Sequence, residues 1–395
     1  MTDLKKEIWF SMQKTLFVEN TAVFLADTTA KDILSTTGNK VHKPIFSKAR
    51  SGTYTPYSDI TNTQHSATKE TLTVDTFEYG ASEIDDTDSK QSSSYYPVEQ
   101  AGTDLGKTMG NRIEQLFLTK ITDSSMTLDG QVAGGASGSL LDFRGAPIWD
   151  TFEAADSMLG SNDVPFENRV AVLGPHAVSA IRKIQSQRES RLGDTVFPNG
   201  VISNWNGWMI VQNNNLPWSG TLTIATQPTD GDTVVIAGVT FTFKTTLGST
   251  AGQVLIGGSA SAARTNLKSA IEKGGTAGTD YVDLSIVNRY KITEQRHVRV
   301  TISSNDMNMT GFGDIVVSET LTASADVWSA RRQDAYFGVR GAIDLVVQDM
   351  PTIETLRKEK GFANITKALL GLGVKMFDDG ARASIRMKSD ASVWL

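Results

Sequence analysis

The sequence predicts an α+β protein with a second, smaller α+β unit set into its middle. Three observations carry this reading. Two extended segments rich in threonine and tyrosine lead into one long amphipathic helix. Buried-type strands alternate with helices over 136–217, and the same texture returns over 326–395. Between them, 218–325 turns glycine-, serine- and threonine-rich and holds a complete β-hairpin and a helix of its own.

At 395 residues the chain exceeds one core of ordinary size, so two or three domains are expected. Hydrophobic residues make up 39% and charged residues 21%, which suits folding rather than disorder. The absence of cysteine excludes disulfides, thiolate metal sites and cysteine nucleophiles together. With 38 basic against 44 acidic residues, a net charge of −6 argues against a nucleic-acid grip, which usually needs a basic excess. The most basic stretch, "IRKIQSQRESR" (181–191), carries Arg182, Lys183, Arg188 and Arg191 and reads as a solvated helix face. The opening "MTDLKKEIWFSMQKTLF" lacks the apolar core of a signal peptide, and no window approaches the ~18 apolar residues of a membrane span. A cytoplasm-like compartment is expected.

Taken in order, residues 1–40 read as a polar arm with an amphipathic patch at Ile8, Trp9, Phe10, Leu16 and Phe17. Residues 41–92 form a long hairpin, from "KPIFSKARSGTYTPYSD" (43–59) and "TKETLTVDTFEYGASEID" (68–85), with Leu72 and Val74 alternating with polar neighbours. Such a two-stranded arm is marginal alone in water and needs another chain to lie on. Within 93–135, Val98, Ala101, Leu105, Met109, Ile113, Leu116 and Phe117 recur at three- and four-residue steps from Pro97 to Ile121. At about 1.5 Å per residue that helix is a rod of about 38 Å. Gly102, Gly106 and Gly110 lie one step from the stripe, each costing about 1 kcal/mol against alanine, which implies close backbone packing on that face.

"VAGGASGSL" (132–140) reads as a flexible join. Residues 136–217 then supply the helix "WDTFEAADSML", the buried strand "RVAVL" (169–173), the helix "GPHAVSAIRKI" opened by Pro175, and the strand "GWMIVQNNNLP" (207–217). In 218–325 the hairpin "TDGDTVVIAGVTFTFKTT" has Ala237-Gly238 as its two-residue turn. Ile236 then faces Val239 and Val234 faces Phe241, so that these residues and Phe243 share one face. "SASAARTNLKSAIEKGG" follows as a helix with Ala263, Leu267, Ala270 and Ile271 inward and Gly274 as its stop. "VDLSIV", "HVRVTIS" and "DIVVSETL" read as strands. Over 326–395, "YFGVRGAIDLVVQDM" offers strands, "IETLRKEKGF" a short helix, and "GLGVKMFDDGARASIRMKS" a closing strand pair with Ala383, Ile385 and Met387 on the buried side.

The inventory for chemistry is thin. His42, His65, His176 and His297 are not within ligand spacing of one another, and no HExxH, G-x-S-x-G or GxxxxGK[ST] pattern occurs. "GLGVKM" (371–376) misses the third glycine of a dinucleotide fingerprint. His176, after a Gly-Pro at a strand-to-helix turn, is the best catalytic candidate and reads as a capping or packing residue. "DMNMTG" (306–311) imitates the start of a calcium loop with Asp306, Asn308, Thr310 and Gly311, but its twelfth position is Val317. The acidic "EIDDTDSKQ" (83–91), with Glu83, Asp85, Asp86 and Asp88, reads as a solvated turn before it reads as a cation site. No catalytic residue, cofactor or metal is assigned, and no enzyme is expected.

The order of these parts resembles the major capsid proteins of tailed double-stranded-DNA bacteriophages, the Hong Kong ninety-seven capsid fold. Three stretches carry the resemblance: "YTPYSDITNTQHSATKETLTVDTFEYGASEIDDTDSKQSSSYYPVEQAGTDLGKTMGNRIEQLFLTKI"; "RVAVLGPHAVSAIRKI"; and "GWMIVQNNNLP" with its continuation "AYFGVRGAIDLV…KGFANITKALLGLGVKMF". They lie within 1–217 and 326–395. The resemblance implies an N-terminal arm, an extended hairpin loop, an acidic turn and glutamine at Ile84, Asp85 and Gln91, a spine helix in a peripheral domain, and an α/β axial domain. It makes 218–325 an inserted domain, similar to a small domain of phage structural proteins. It implies a structural protein of the virion that assembles with itself as hexamers and pentamers into an icosahedral shell around double-stranded DNA. Scaffolding protein and portal are implied partners, and assembly would take place in the host bacterial cytoplasm. The hairpin would lie across a neighbouring subunit and the arm would brace another. The alternative is a non-catalytic phage tail or adhesion protein whose 218–325 unit binds host-surface glycans.

Overall fold

The N-terminal threonine-rich segments form strands, in a pairing different from the one expected. In the computed structural model, which describes residues 22–29, 38–46, 51–59, 66–86, 97–143, 147–186, 204–313, 316–359 and 361–390, β1 (Lys40–Phe46) pairs with β2 (Ala67–Thr73). The pairing is antiparallel, with Lys40 opposite Thr73 and Phe46 opposite Ala67. The second arm of the expected hairpin does not run on to residue 85. It ends at Thr73, and β3 (Thr76–Asp85) leaves to join a different sheet. Burial explains the break: Leu72 and Val74 pack with Val41, Val346 and Phe377 in a small apolar cluster that fastens the root of the hairpin to its own subunit.

β3 pairs with β17 (Ala363–Lys375), and β17 pairs with β16 (Asp344–Arg357), giving an antiparallel sheet in the order β16-β17-β3. Where a short helix was expected at 353–362, residues 353–357 instead end β16, with Ile353 paired to Ala368 and Thr355 to Thr366. Tertiary pairing along a long strand outweighs a weak local helical signal.

One face of this sheet is covered by α1 (Pro97–Thr119), the expected long helix. Leu105, Met109 and Ile113 meet Leu345, Ala368, Leu370 and Leu372, while Phe117 and Leu118 continue into the next core. Gly102, Gly106 and Gly110 are buried. The close approach is visible from the opposite side at Gly80 of β3, where a Cβ would overlap Leu105 Cδ1 and lie 2.6 Å from Met109 Cε.

The largest core lies between a mixed sheet and two helices, α2 (Pro147–Ser161) and α3 (Pro175–Ser186). Its central strand β5 (Arg169–Leu173) is buried at all five positions: the apolar run Val170–Leu173 predicts this for four, and Arg169 is buried in an ion pair with Asp156. β5 runs parallel to β7 (Trp208–Gln212) and antiparallel to β15 (Trp328–Val339). Phe152 of α2 is the aromatic hub, with ring centroids 4.5 Å from Trp205 and 5.1 Å from Phe337. β18 (Ser384–Asp390) buries Ile385 and Met387 as the alternation predicts. It does not close a pair with β17: it pairs with β15 and with β4 (Met126–Leu128), separated from β17 by the short helix Asp378–Arg382. The join at 132–140 is a pinned loop rather than a slack one. Asp129 accepts from the Gln131 N–H at 3.0 Å and from the Gly138 N–H at 2.6 Å.

A further core belongs to the central part of the chain and is built from Trp218 to Val317. β9 (Thr233–Ile236) and β10 (Val239–Lys244) form the expected hairpin in the expected register, Ile236 opposite Val239 and Val234 opposite Phe241. Ala237 (φ 53°) and Gly238 (φ 71°) occupy the left-handed region that a two-residue turn of this kind demands. The helix Ala260–Glu272 buries Ala263, Leu267, Ala270 and Ile271, and its N-cap Ser259 accepts from the Ala262 N–H. Its end differs by one residue: Lys273, not Gly274, takes the left-handed cap position. "VDLSIV" supplies a short helix, Ile286–Tyr290, where a strand was expected. The base of this unit is continuous with the main sheet. β8 (Pro217–Thr223) pairs with the first half of β15, and β13 (Asp306–Phe312) pairs with β8, so one sheet runs from the central unit into the largest core.

Candidate assembly surfaces

The described residues weighed for chemistry lie on helices, strands and turns far apart in the chain. His176 stands in the first turn of α3, half-buried, one residue after Pro175. His42 meets the Thr71 hydroxyl at 2.8 Å across the hairpin, and His65 lies outside the described residues. His297 is pushed down to about 4, by burial first and by the nearby Arg112 and Arg299 charges second. A neutral imidazole there packs against Phe312 at 6.4 Å.

The calcium-like run is strand β13. Met307 and Met309 point inward, Asp306 Oδ1 accepts from the Thr223 hydroxyl at 2.7 Å, and Asn308 Oδ1 accepts from the Thr221 hydroxyl at 2.8 Å. A period-2 burial pattern aims these groups along a flat ladder, where a calcium loop needs a wrap. The acidic turn is compensated by the far end of β16: Glu83 pairs with Lys358 at 2.6 Å and Asp86 with Arg357 at 2.5 Å. Asp88 and Gln91 lie outside the described residues, as do Arg188, Arg191 and the Ile8 to Phe17 patch. Among the described residues no group of three His, Asp or Glu is placed to hold a metal, and no helix is long and apolar enough to cross a membrane.

What the fold leaves exposed is more informative. The root of the β1–β2 hairpin is fixed: Lys375 Nζ donates to the Thr71 carbonyl at 2.9 Å and stands 3.7 Å from Glu70. Lys43 and Lys375 each place an ammonium 5.0 Å from the centre of the Phe377 ring. Beyond the root the support ends. Phe46 is 67% exposed, Tyr54 63%, and Tyr57 fully so. The face of the β16-β17-β3 sheet turned away from α1 also carries Phe77, Tyr79 and Leu369 in the open, with Leu369 opposite Tyr79 in the ladder.

No protein-family profile matches the chain, and no curated protein does. Solved structures do. The chain is similar to a structure from Mycobacterium phage Che8, at 15% identity over 93% of this chain and 91% of that one, with a TM-score of 0.52. The chain shares the fold of that phage structure. It is also similar to the capsid structure of cyanophage P-SCSP1u, at 10% identity over 89% and 84% of the two chains (TM-score 0.48). A third similarity is to the mature capsid of bacteriophage PhiM1, at 10% identity over 90% and 83% (TM-score 0.47). Sequence reasoning missed the second strand pairing of the loop segment, because β3 finds its partner nearly three hundred residues away.

Proposed function

We propose that this protein is the shell subunit of a tailed-phage head. It gathers as hexamers and pentamers into a closed icosahedral container for double-stranded DNA, and it performs no bond-making chemistry. One observation carries the reading beyond the fold. The β1–β2 hairpin is anchored at its root by Leu72 and Val74 and carries Phe46, Tyr54 and Tyr57 outward, largely exposed. A two-stranded ribbon is marginal in water. Covering each such side chain with a neighbouring subunit returns about 1.5–3 kcal/mol, enough across several rings to favour a repeated contact.

The net charge of −6 suits a container wall, because a strongly basic one would hold packaged DNA tightly and with steep salt dependence. Scaffolding protein and portal enter as partners that the resemblance implies, with assembly in the bacterial cytoplasm and residence in the virion. The test is direct: purified protein is expected to form capsomer-sized oligomers or closed particles by light scattering and negative-stain microscopy. A stable monomer with its hairpin amides already protected from exchange would overturn the proposal.

A further inference from the structure

Glu114 lies on α1 directly after Ile113 and is 2% exposed. Its carboxylate accepts from three donors that belong to two other parts of the chain. The Ala22 backbone N–H reaches Oε1 at 2.7 Å from the N-terminal arm. The Asn213 side-chain amide reaches the same oxygen at 2.6 Å, and the Asn215 amide reaches Oε2 at 2.5 Å. All three donors are neutral. A buried carboxylate without a hydrogen-bond partner is severely penalised, so the site is stable only while these donors converge on it.

Each donor reports on a larger piece of structure. Ala22 opens the 3-10 turn Ala22–Leu25, which buries Ala22 and Leu25 against Phe117, Leu118 and Ile121. The turn 213–215 leads directly into the central unit. Asn213 N–H donates to the Leu173 carbonyl at 2.9 Å, Asn213 Oδ1 accepts from the Asn215 N–H at 2.6 Å, and the Leu216 carbonyl accepts from the Gly313 N–H at 2.7 Å. The same helix meets the unit a second time through the neighbouring residue, where the Gln115 side-chain amide donates to the Gln295 carbonyl at 3.0 Å.

We propose that the Glu114 carboxylate couples the seating of the arm on the core to the seating of the turn that carries the central unit, so that the two are docked together and loosened together. The asparagines hold the carboxylate in the one position where Oε1 faces Ala22, and the arm in turn satisfies an oxygen that the asparagines alone leave half-occupied. Networks of this kind act as a unit, and the coupling is reciprocal.

Hydrogen exchange on the full-length protein tests this. Asn215→Ala removes a bond between the turn and α1 and no bond to the arm, yet it is expected to lower the protection of the Ala22–Leu25 amides by about tenfold, the loss of one hydrogen bond to a charged group. Gln115→Ala removes the neighbouring contact without touching Glu114 and is expected to leave the arm as it was. Protection in β5 is expected to stay constant in both. An unchanged arm in Asn215→Ala, or an equal fall in β5, would overturn the coupling. Glu114→Gln supplies a second route, since its amide opposes the Asn215 donor: arm and turn are expected to loosen together, and loosening of one alone would contradict the proposal.

Discussion

Asp27 of the arm and Asp344 at the start of β16 face one another in a parallel bridge. The Asp27 N–H donates to the Ile343 carbonyl at 2.9 Å, and its carbonyl accepts from the Leu345 N–H at 3.0 Å. The backbone thus holds two carboxylates side by side. They titrate in opposite directions. Asp27 is lowered, chiefly by the hydrogen bond from the Thr29 side chain. Asp344, 7% exposed, is pushed up to about 6 by burial, with Asp27 adding to the rise and Lys43 opposing it.

The pH dependence follows from these signs. Asp344 binds its proton more tightly in the folded subunit than in the unfolded chain, so the fold gains stability as pH falls from above about 6 toward about 4 and gains nothing further below that. The swing is about 1–3 kcal/mol. Asp27 acts the other way in a lower window: its contribution is present above the ordinary carboxylate range and is lost as pH falls through its lowered value. Exchange at Ala26, whose N–H bonds Val23, and at Asp27, corrected for intrinsic rate, is expected to slow from neutral pH to about pH 5. Asp344→Asn is expected to abolish that dependence and hold the arm as the acid form does. A flat profile in the unmodified protein would refute the assignment.

The hairpin root crosses β17 at Gly373, where a Cβ would stand 2.6 Å from the Thr73 carbonyl oxygen and 3.1 Å from Leu72 Cδ2. A backbone carbonyl cannot step aside as a side-chain end can. Gly373→Ala is therefore expected to destabilise the subunit by about 1–3 kcal/mol in urea titration and to raise exchange at Val74. A change under about 0.5 kcal/mol would show that the root yields freely.

Replacing Phe46, Tyr54 and Tyr57 together by serine separates folding from assembly. These side chains touch little in the subunit, so its unfolding free energy is expected to move by less than about 0.5 kcal/mol. Particle yield by light scattering is expected to collapse. Normal particles from the triple variant would remove the hairpin from the interface.

At the β9–β10 turn an alanine holds a left-handed conformation, φ 53° at Ala237, that glycine or asparagine adopts with less strain. Ala237→Gly is expected to stabilise the central unit by about 0.5–1 kcal/mol, read as a higher urea midpoint by a probe in that unit. A lower midpoint would mean that the added freedom of the unfolded chain outweighs the relieved strain.

Local pattern alone was enough for several parts of this protein. The register of Val234, Ile236, Val239, Phe241 and Phe243 follows from alternation and a two-residue turn, because a short loop leaves few pairings to choose from. The α1 stripe through Leu105, Met109 and Ile113, and the fully buried β5, follow from their own periodicity. Other features depended on segments that meet only in three dimensions. Alternation says that 76–85 is a strand but cannot name β17 as its partner, and the same limit hid the strand in 353–357 and the separation of β17 from β18. The calcium-like spacing that begins at Asp306 already failed at Val317 in the sequence, but only the pairing with β8 shows that the run is a strand. Glu114 carried no sequence signal, since nothing near it in the chain reveals that Ala22, Asn213 and Asn215 will surround its carboxylate. Periodicity records which side of an element is buried; the identity of what buries it is settled by long-range packing.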